Sequence, residues 1–419
     1  MSCYKFKNMN ILYITQYFYP EIGATQNRAL EMASHLVRSG HQVTVLTEFP
    51  NHPSGIIPKR CKFKLFERGS YTGIEVIRCF VKASSNKNFL NRILFYFSFM
   101  ISSFIAGMKL KGRRYDLIYA TSPPLPVGLS AYMISKLKQI KFIFEIRDLW
   151  PESAIAMGEL KNKKAIQLSE WIERICYKNA RKIVVVTQGI HDRLTLRGID
   201  SDKLRIIPNG ANVEAFSFSA DNNLFKKELG CQGKFIILYA GIIGLAQGME
   251  TLVEVVKLLK DNKNILFLFV GEGPLKGKLL ELQKAYELNN LCIINEMPTK
   301  EVFKYIAAAD VCLVPLKKAD IFKAALPSKM FDAWACGRPI VLTVDGEAKE
   351  HLNKANAGIY VDPEDHTGIK NAIIHLFNNP VLCQKYGRNG RRYVEKYFSR
   401  KVLAQKLEKC LLTVLNNNS

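Results

Sequence analysis

The sequence predicts an α/β protein made of two doubly wound domains, each a parallel sheet covered by helices. Its 419 residues suit two domains of about 200 residues each. Short apolar runs rich in β-branched residues alternate with helical patterns along the chain, as in parallel sheets joined by crossover helices. This alternation restarts near residue 235, so the second half repeats the pattern of the first.

Each half contains a series of predicted strands. In the first half they are Asn10 to Thr15, Gln42 to Thr47, Leu117 to Ala120, Lys141 to Glu145, Ile183 to Thr187 and Leu204 to Pro208. In the second half they are Phe235 to Ala240, Ile265 to Gly271, Leu291 to Asn295, Val311 to Pro315, Pro339 to Thr343 and Gly358 to Val361. An amphipathic helix, Gln26 to Ser39, follows the first strand and is ended by Gly40.

A stretch of Asn, Gly and polar residues at 209–225 has the composition of a linker and places the domain boundary near Val213. We therefore expect an N-terminal domain at 1–212, which contains a basic, membrane-facing segment at 59–114, and a second domain at 213–399. The last segment, 400–419, is predicted to be helical and could pack on either domain.

The net charge of +23 is concentrated in the first half of the chain. Residues 1–212 carry +17, and residues 59–114 contain 13 basic and 2 acidic residues. This asymmetry predicts an anionic partner, either nucleic acid or lipid. The sequence has no nucleic-acid-binding motif and no basic patch interleaved with aromatic residues, so we expect an anionic membrane surface and no nucleic acid.

The stretch from Phe89 to Met108 is almost wholly apolar and is bracketed by Lys and Arg. Its uncharged part, from Ile93 to Met108, has 16 residues, fewer than the roughly 20 that a membrane-spanning helix needs. A helix that rests on anionic headgroups fits this pattern best. A buried core helix is the alternative, and a spanning helix is less favoured.

The ten cysteines show no CxxC spacing and no Cys/His cluster, and the sequence has no cleavable signal peptide. Several lie in apolar runs such as Leu291-Cys292-Ile293, which predicts buried free thiols in a reducing cytoplasm. Asp200-Ser-Asp202 matches a D-x-D metal motif but lies in a turn before a strand, and the histidines lack metal-ligand spacing. We expect no metal and no cofactor.

Gly23 lies where the first strand leads into a helix. Exposed amides and the positive helix end at such a position favour a phosphate or sugar hydroxyls. The spacing around Gly23 is not GxGxxG, and Gly271-Glu-Gly-Pro274 also fails that pattern. A nicotinamide dinucleotide enzyme is therefore not indicated.

Arg147, Asp148 and Glu152 follow the strand that ends at Glu145, at the sheet edge where open α/β sheets bind ligands. Asp148 is the candidate catalytic carboxylate, with Glu152 second, because a carboxylate at this edge could accept a proton from a substrate hydroxyl. An Arg–carboxylate network that only anchors the loop is the alternative.

Lys323 and Lys329 flank the start of a helix that begins at Ser328. Positive charges repel the helix dipole at this end, so two lysines there indicate an anion such as a pyrophosphate between them. Asp332, about one turn after Lys329, could accept hydrogen bonds from ribose hydroxyls. A surface ion pair between Lys329 and Asp332 is the alternative.

With these segments in place, the chain resembles the bacterial family-four retaining glycosyltransferases, in the branch that builds capsule, O-antigen and colanic-acid-type polysaccharides. The resemblance extends over nearly the whole length. It rests on the blocks Tyr19-Pro-Glu-Ile-Gly23, Gly40-His-Gln-Val-Thr-Val, Pro50-Asn-His-Pro-Ser-Gly55, Thr121-Ser-Pro-Pro124, Arg147-Asp-Leu-Trp-Pro-Glu-Ser153, Val186-Thr-Gln-Gly189, Ile207-Pro-Asn-Gly210, Gly244-Leu-Ala-Gln-Gly248, Gly271-Glu-Gly-Pro274 and Pro327-Ser-Lys-Met-Phe-Asp332.

The resemblance implies the GT-B fold, two Rossmann-like domains facing across a cleft. It implies a nucleotide-sugar donor on the second domain, an acceptor on the first, and retention of anomeric configuration without a metal. Lysines and a helix N-terminus would stabilise the leaving diphosphate. The substrate-binding residues it suggests are Gly23, Arg147, Lys323, Asp332, Gly244, Gly271, Glu272, Met297 and Ser328, beside the catalytic candidates Asp148, Glu152 and Lys329.

The sequence departs from this family's pattern in two places. Ala324 replaces the first glutamate of the E-x7-E motif and Asp332 the second, which removes a donor-sugar contact. The Arg and Lys usually found after the first strand of the second domain are also missing, because Gly241 to Gly248 carries no charge. We expect Lys323 and Lys329 to bind the phosphates instead.

These observations predict a cytoplasmic enzyme, peripheral on the inner membrane face. It would transfer an N-acetylated hexosamine or a deoxyhexosamine from a UDP-sugar to a polyprenyl-diphosphate-linked saccharide in surface polysaccharide synthesis. A nucleotide-sugar 2-epimerase of the same fold is one alternative. An inactive GT-B scaffold is another, suggested by Ala324 and the shortened Asp332.

Overall fold

The computed structural model describes residues 8–21, 23–51, 54–62, 64–86, 88–110, 115–156, 158, 160–215 and 223–416. The chain forms two compact units: unit 1 is Met1–Ile207 with Leu403–Ser419, and unit 2 is Pro208–Val402. The sequence-based boundary near Val213 lies inside unit 2, at a short 3-10 turn, Val213–Ala215. The predicted two-domain α/β architecture with parallel sheets is confirmed.

Unit 1 is built on an eight-stranded sheet with the order β3-β4-β2-β1-β5-β6-β7-β8. All neighbouring strands are parallel except the pair β3–β4. This antiparallel pair escaped the sequence analysis because β3 is a largely exposed edge strand without an apolar run. The strands are β1 Asn10–Ile14, β2 Gln42–Glu48, β3 Phe66–Tyr71, β4 Ile74–Cys79, β5 Leu117–Ser122, β6 Lys141–Ile146, β7 Lys182–Val185 and β8 Leu204–Ile206.

Unit 2 is built on a six-stranded parallel sheet with the order β11-β10-β9-β12-β13-β14. Its two faces carry separate hydrophobic cores, so helices cover both sides, as in a doubly wound fold. The strands are β9 Phe235–Ala240, β10 Ile265–Val270, β11 Leu291–Ile294, β12 Val311–Pro315, β13 Ile340–Thr343 and β14 Gly358–Tyr360.

Fifteen α-helices lie in the described part of the chain. They are α1 Ala24–Arg38, α2 Phe89–Lys109, α3 Pro126–Lys138, α4 Glu152–Ala156, α5 Lys163–Asn179, α6 Gln188–Leu196, α7 Asn223–Glu228, α8 Met249–Leu258, α9 Lys276–Ala285, α10 Thr299–Ala308, α11 Ser328–Ala335, α12 Glu347–Ala355, α13 His366–Phe377, α14 Pro380–Tyr397 and α15 Arg400–Asn416.

The C-terminal helix α15 packs on unit 1, which answers the question that the sequence left open. Leu403, Leu407 and Leu411 are fully buried in the core that also contains α1 and the central strands. Polar contacts reinforce this packing, because Glu408 lies 3.0 Å from His35 Nε2 and 3.1 Å from His41 Nε2. Unit 1 therefore needs both ends of the chain.

Helix α2 packs one face on unit 1 and leaves a second face uncovered. On the packed face, Ser103 Oγ lies 2.9 Å from Ser130 Oγ of α3. On the other face Leu90, Leu94, Ile101 and Ile105 are all exposed, with 63% of Leu90 and 52% of Ile101 accessible. We call these four side chains the α2 stripe. Their spacing of four and seven residues places them on one side of the helix.

By length and composition, α2 is apolar enough to cross a membrane: Leu90–Lys109 has 20 residues with a mean hydropathy of 1.3 over its best window. Only 28% of that window is buried, which does not fit a simple core helix. The basic residues Arg92 and Lys109 lie at its two ends. Four other cations flank this stretch in the sequence but lie outside the described residues: Lys87, Lys111, Arg113 and Arg114.

The nine described cysteines are all free thiols. Cys292 is exposed, so its predicted burial is wrong. The reason is that β11 is the edge strand of its sheet, and Cys292 points away from the core that buries Leu291.

Candidate functional site

Each sheet has one place where the strand order reverses, between β1 and β5 in unit 1 and between β9 and β12 in unit 2. Open α/β sheets bind ligands outside the carboxyl ends of the strands at such a switch point. The carboxyl ends of β1 and β5 in unit 1, and of β9 and β12 in unit 2, are therefore where each unit would bind a ligand.

At the edge of unit 2, the loops after β9 and β10 pack backbone against backbone. The Gly241 N–H donates to the Val270 carbonyl (2.8 Å), and the Ile243 N–H donates to the Glu272 carbonyl (2.8 Å). A Cβ on Gly271, whose φ is +154°, would lie 1.9 Å from the Gly241 carbonyl oxygen. Only glycine fits there, which gives Gly271 a structural role at this edge.

The Lys329 side chain fills the space beside Gly241. Lys329 is the second residue of α11, and its Nζ and Cε both lie 2.5 Å from the point that a Cβ on Gly241 would occupy. The Nζ atom also lies 5.2 Å from the centre of the Tyr239 ring, within range of a cation–π contact. A cation from α11 is thus held at the carboxyl end of β9.

Burial lowers the pKa of Lys329 to about 8, and the charge of Asp332 opposes that shift. No ion pair involves Lys329 within the described residues. The amine is therefore largely charged at neutral pH and poorly solvated, which is the condition in which it would attract an anion most strongly.

Lys323 lies in a different environment from Lys329. It belongs to the 3-10 turn Asp320–Ala324, is exposed, and forms an ion pair with Asp320 at 2.8 Å. The hydrogen bond from this lysine to Asp320 raises the pKa of Lys323. The two lysines that the sequence grouped together thus differ in burial and in partner.

Most of the remaining candidates of unit 2 lie on loops after strands, and Ser328 is the first residue of a helix. Gly244 precedes a 3-10 turn, Leu245–Gln247, and Ser328 opens α11. Glu272 forms an ion pair with Lys276. Met297 follows β11 and packs, partly buried, against the unit 2 core.

In unit 1, Gly23 precedes α1 with a φ of +157°. A Cβ there would lie 2.4 Å from Gln26 Oε1, so a larger residue would displace that side chain. The Glu21 carboxylate fixes the loop before it by accepting a hydrogen bond from the Asn51 N–H (2.8 Å).

A buried charge cluster lies between α1 and the β5–β6 region. Glu145 Oε1 accepts hydrogen bonds from Arg28 Nε (3.0 Å), Arg28 Nη2 (2.8 Å) and the Tyr119 hydroxyl (2.7 Å). Its Oε2 accepts one from Thr121 (2.7 Å). Burial alone would raise the pKa of Glu145, but the charges of Arg28 and Arg147 hold it below its usual value. Sequence reasoning missed Arg28, Tyr119 and Thr121.

The three candidates after β6 have separate environments. Glu152 forms an ion pair with Arg193, as the loop-anchoring alternative supposed. Asp148 is exposed and accepts a hydrogen bond from the Ser153 hydroxyl (2.9 Å). Desolvation of the Asp148 carboxyl raises its pKa, although this hydrogen bond opposes the shift. Arg147 is only partly exposed and extends from the same loop.

The D-x-D segment forms a short turn, in which the Asp202 N–H donates to Asp200 Oδ1 (2.9 Å). Within the described residues there is no group of three or more His, Cys, Asp and Glu side chains that could hold a metal.

The chain matches two protein-family models. The model described as "Glycosyl transferase 4-like domain" matches residues 23–210, and the one described as "Glycosyl transferases group 1" matches residues 221–393. A protein of Escherichia coli K12 named as a colanic acid biosynthesis glycosyl transferase, WcaI, is 24% identical over 397 residues, which cover 93% of this chain and 96% of that protein.

Solved structures show the same fold. Sucrose-phosphate synthase from Thermosynechococcus elongatus superposes with a TM-score of 0.72 at 17% identity, covering 98% of this chain and 100% of that one. Anabaena HepE in complex with UDP-glucose gives a TM-score of 0.71 at 14% identity, covering 97% and 100%.

Two doubly wound units, each with candidate residues at its switch point, define a protein of the GT-B fold class. Because the two family models match successive stretches that together span most of its length, the chain belongs to the GT-B glycosyltransferases.

Proposed function

We propose that this glycosyltransferase moves one sugar from a UDP-sugar to a saccharide linked to a polyprenyl diphosphate, with retention of anomeric configuration. The bond from the sugar C1 to the UDP oxygen breaks, and a bond from C1 to the acceptor hydroxyl oxygen forms. The hydroxyl proton passes to the leaving diphosphate or to a nearby carboxylate. The transferred sugar is an N-acetylated hexosamine or a deoxyhexosamine, and the product enters a surface polysaccharide.

The position of the Lys329 amine carries this proposal. The loop Gly241 to Gly248 lacks the two cations that similar enzymes use after this strand. In this protein, the amine from α11 occupies the space beside Gly241. A poorly solvated cation at the carboxyl end of β9 would stabilise the negative charge that develops on a departing diphosphate, without any metal.

Two relatives support the substrate classes. WcaI carries a name that refers to colanic acid biosynthesis, which suggests a polysaccharide product for this chain. HepE was solved with UDP-glucose, which suggests a uridine nucleotide. The replacement of the first motif glutamate by Ala324 suggests a donor sugar that needs fewer hydroxyl contacts, and this favours an N-acetylated or deoxy sugar.

Asp148 is the proposed acceptor-side carboxylate. It follows the carboxyl end of β6, is exposed, and has a raised pKa, so its carboxylate is a better proton acceptor than an ordinary surface aspartate. Glu152 is engaged by Arg193 and has less freedom for this role. Lys323, Asp332, Ser328, Gly244, Glu272 and Met297 remain proposed donor-binding residues.

We further propose that α2 holds the enzyme on the inner face of the cytoplasmic membrane. The α2 stripe offers apolar side chains to the acyl boundary, and the basic residues of 59–114 attract anionic headgroups. A lipid-linked acceptor keeps its sugar at the headgroup level, where a peripheral enzyme can reach it.

A two-stage experiment tests this function. The first stage measures the melting temperature with UDP-, GDP- and dTDP-sugars, because a ligand that binds only the native state raises it. The second stage incubates the best donor with a short-chain prenyl-diphosphate saccharide and assigns the anomer by NMR. We expect a UDP-sugar to stabilise the protein and the product to keep the donor's configuration.

Three other results would count against the proposal. An inverted product would exclude retention. Free epimer formed without any acceptor would indicate the 2-epimerase. Tight UDP binding with no turnover on a panel of acceptors would indicate the inactive scaffold.

A further inference from the structure

Arg147 is a cation that has no hydrogen-bonded counterion in the described part of the protein. It follows β6 directly, and its backbone N–H donates to the Ser122 carbonyl (3.0 Å) at the end of β5. Its side-chain Nε and Nη1 atoms are buried and have no hydrogen-bond partner there. Burial lowers the pKa of Arg147, which means that its surroundings disfavour the charged form.

Glu145, the carboxylate whose charge acts most strongly on Arg147, is already engaged. Both of its oxygens accept hydrogen bonds from other residues, Oε1 from Arg28 and Tyr119 and Oε2 from Thr121. Among the buried groups, two arginines therefore share a single carboxylate. The charge of Arg147 also acts on Asp148, the next residue, but that carboxylate is exposed and is hydrogen-bonded to Ser153 rather than to Arg147.

Tyr13 adds a second unused donor to the same cluster. Its hydroxyl is buried and has no partner among the described residues. Its ring centre lies 4.9 Å from that of Tyr119, and the charges of Glu145, Arg28 and Arg147 all act on it. Buried polar groups in native proteins are nearly always hydrogen-bonded, so these three donor atoms, beside two buried arginines that share one buried carboxylate, are suited to an anionic acceptor.

We propose that Arg147 and the Tyr13 hydroxyl form an anion subsite in unit 1 that binds a phosphate group of a substrate. The Arg147 guanidinium can donate hydrogen bonds to phosphate oxygens from Nε and from Nη1, which lie on different edges of the group, and the Tyr13 hydroxyl adds a third donor. The nature of the substrate rests on the proposed function, whereas the anion site itself does not. A lipid-linked diphosphate and a nucleotide diphosphate both carry the required group.

A stability comparison separates this role from a structural one. Removing a buried charge that lacks a counterion should not destabilise the free protein, so Arg147→Met should leave its melting temperature unchanged or raise it by about 2–4 °C. Arg28→Met is the control, and it should lower the melting temperature because the buried Glu145 carboxylate would lose its ion-pair partner. Likewise, Tyr13→Phe should be neutral, whereas Tyr119→Phe should destabilise.

Binding is then measured by calorimetry with inorganic pyrophosphate, using the full chain with both Lys323→Ala and Lys329→Ala, because these two lysines are the proposed phosphate-binding cations of unit 2. Arg147→Met should weaken pyrophosphate binding at least about thirtyfold, and Tyr13→Phe about tenfold. Tyr119→Phe, which loses a hydroxyl bonded to Glu145, should change it less than about twofold. Titrations with farnesyl diphosphate and with UDP show which source the subsite prefers, because only the physiological one should depend on Arg147.

Several outcomes would overturn the proposal. One is the absence of pyrophosphate binding to the protein that carries both lysine substitutions. Another is pyrophosphate binding that neither Arg147→Met nor Tyr13→Phe weakens. A third is destabilisation by Arg147→Met as large as that by Arg28→Met. Failure of the proposed function would look different. If the protein binds pyrophosphate through Arg147 but transfers no sugar from any nucleotide-sugar, the anion subsite is supported and the proposed function is refuted.

Discussion

Replacing Gly241 with alanine should move the Lys329 amine away from the carboxyl end of β9. The added Cβ would lie 2.5 Å from both Nζ and Cε of Lys329, whereas such atoms prefer about 3.5–4.0 Å. The amine must therefore retreat by about 1 Å or more. Because a lysine side chain is flexible, we expect this movement within the side chain rather than in α11.

The size of the effect follows from that displacement. A misplacement of about 1 Å can cost about a hundredfold in rate, and loss of one electrostatic stabiliser costs about a hundred- to a thousandfold. Gly241→Ala should thus lower kcat/KM by about ten- to a hundredfold, less than complete removal of the amine. The φ of Gly241 is +143°, so alanine should also cost about 1–3 kcal/mol of unfolding free energy.

A double-mutant cycle separates the two effects. Initial rates of UDP release are measured for Gly241→Ala, Lys329→Ala and the double variant, with melting temperatures alongside. Once the amine is gone, Gly241→Ala should reduce the rate no further, although its stability cost should persist. Gly277→Ala is the matched control, because a Cβ there contacts nothing within 4 Å. Additive rate losses in the double variant would refute amine displacement and indicate a distorted loop.

Four further predictions concern catalysis, ligand binding and membrane binding. Lys329→Ala should cut turnover about ten- to a thousandfold, and the paired, exposed Lys323 should matter less. Since burial lowers the pKa of Lys329 to about 8, UDP affinity should fall as pH rises through that value, and Lys329→Arg should remove the fall. Asp148→Asn should lower activity without abolishing it, because the leaving diphosphate can also take the proton. The protein should float with anionic liposomes at low salt, less at high salt, and less after Lys109, Lys111, Arg113 and Arg114 become Gln.

Each of these predictions has a contrary result. Full turnover in folded Lys329→Ala would show that Lys329 has only a structural role. The same conclusion would follow if UDP affinity depended on pH in the same way in the wild-type protein and in Lys329→Arg. Wild-type turnover in Asp148→Asn would remove that carboxylate from catalysis. Equal flotation with neutral and anionic lipids would exclude electrostatic docking, and resistance to alkaline carbonate would indicate an integral α2. Replacement of Leu94, Ile101 and Ile105 by serine tests separately how much the apolar side chains contribute to membrane binding.

The parallel architecture could be predicted because central strands such as β5 and β9 consist mostly of apolar residues, as expected for strands that are buried on both faces of a parallel sheet. The hairpin β3–β4 could not be predicted in this way, since β3 lies at the sheet edge and exposes most of its side chains. Exposure at a sheet edge also explains why the predicted burial of Cys292 is wrong. The local sequence pattern therefore predicted the central strands of the sheets better than the edge strands.

The candidate site was less predictable, because its decisive contacts join distant parts of the chain. Lys323 and Lys329 look equivalent in sequence, and only the fold shows that one meets Asp320 while the other reaches Gly241. The pairing of Arg28 with Glu145 likewise joins α1 to β6. No periodicity or local motif encodes such pairs, since they depend on which strands become neighbours.

The packing of α15 on unit 1 makes unit 2 an insertion within unit 1, so the chain passes from one unit to the other twice. During synthesis, the segment that completes one face of the first core emerges after all of unit 2. Until then, the surface that Leu403, Leu407 and Leu411 cover would remain open to water. Unit 2 can complete its own core earlier, since residues 208–402 are contiguous. The order of folding would therefore run opposite to the order of translation.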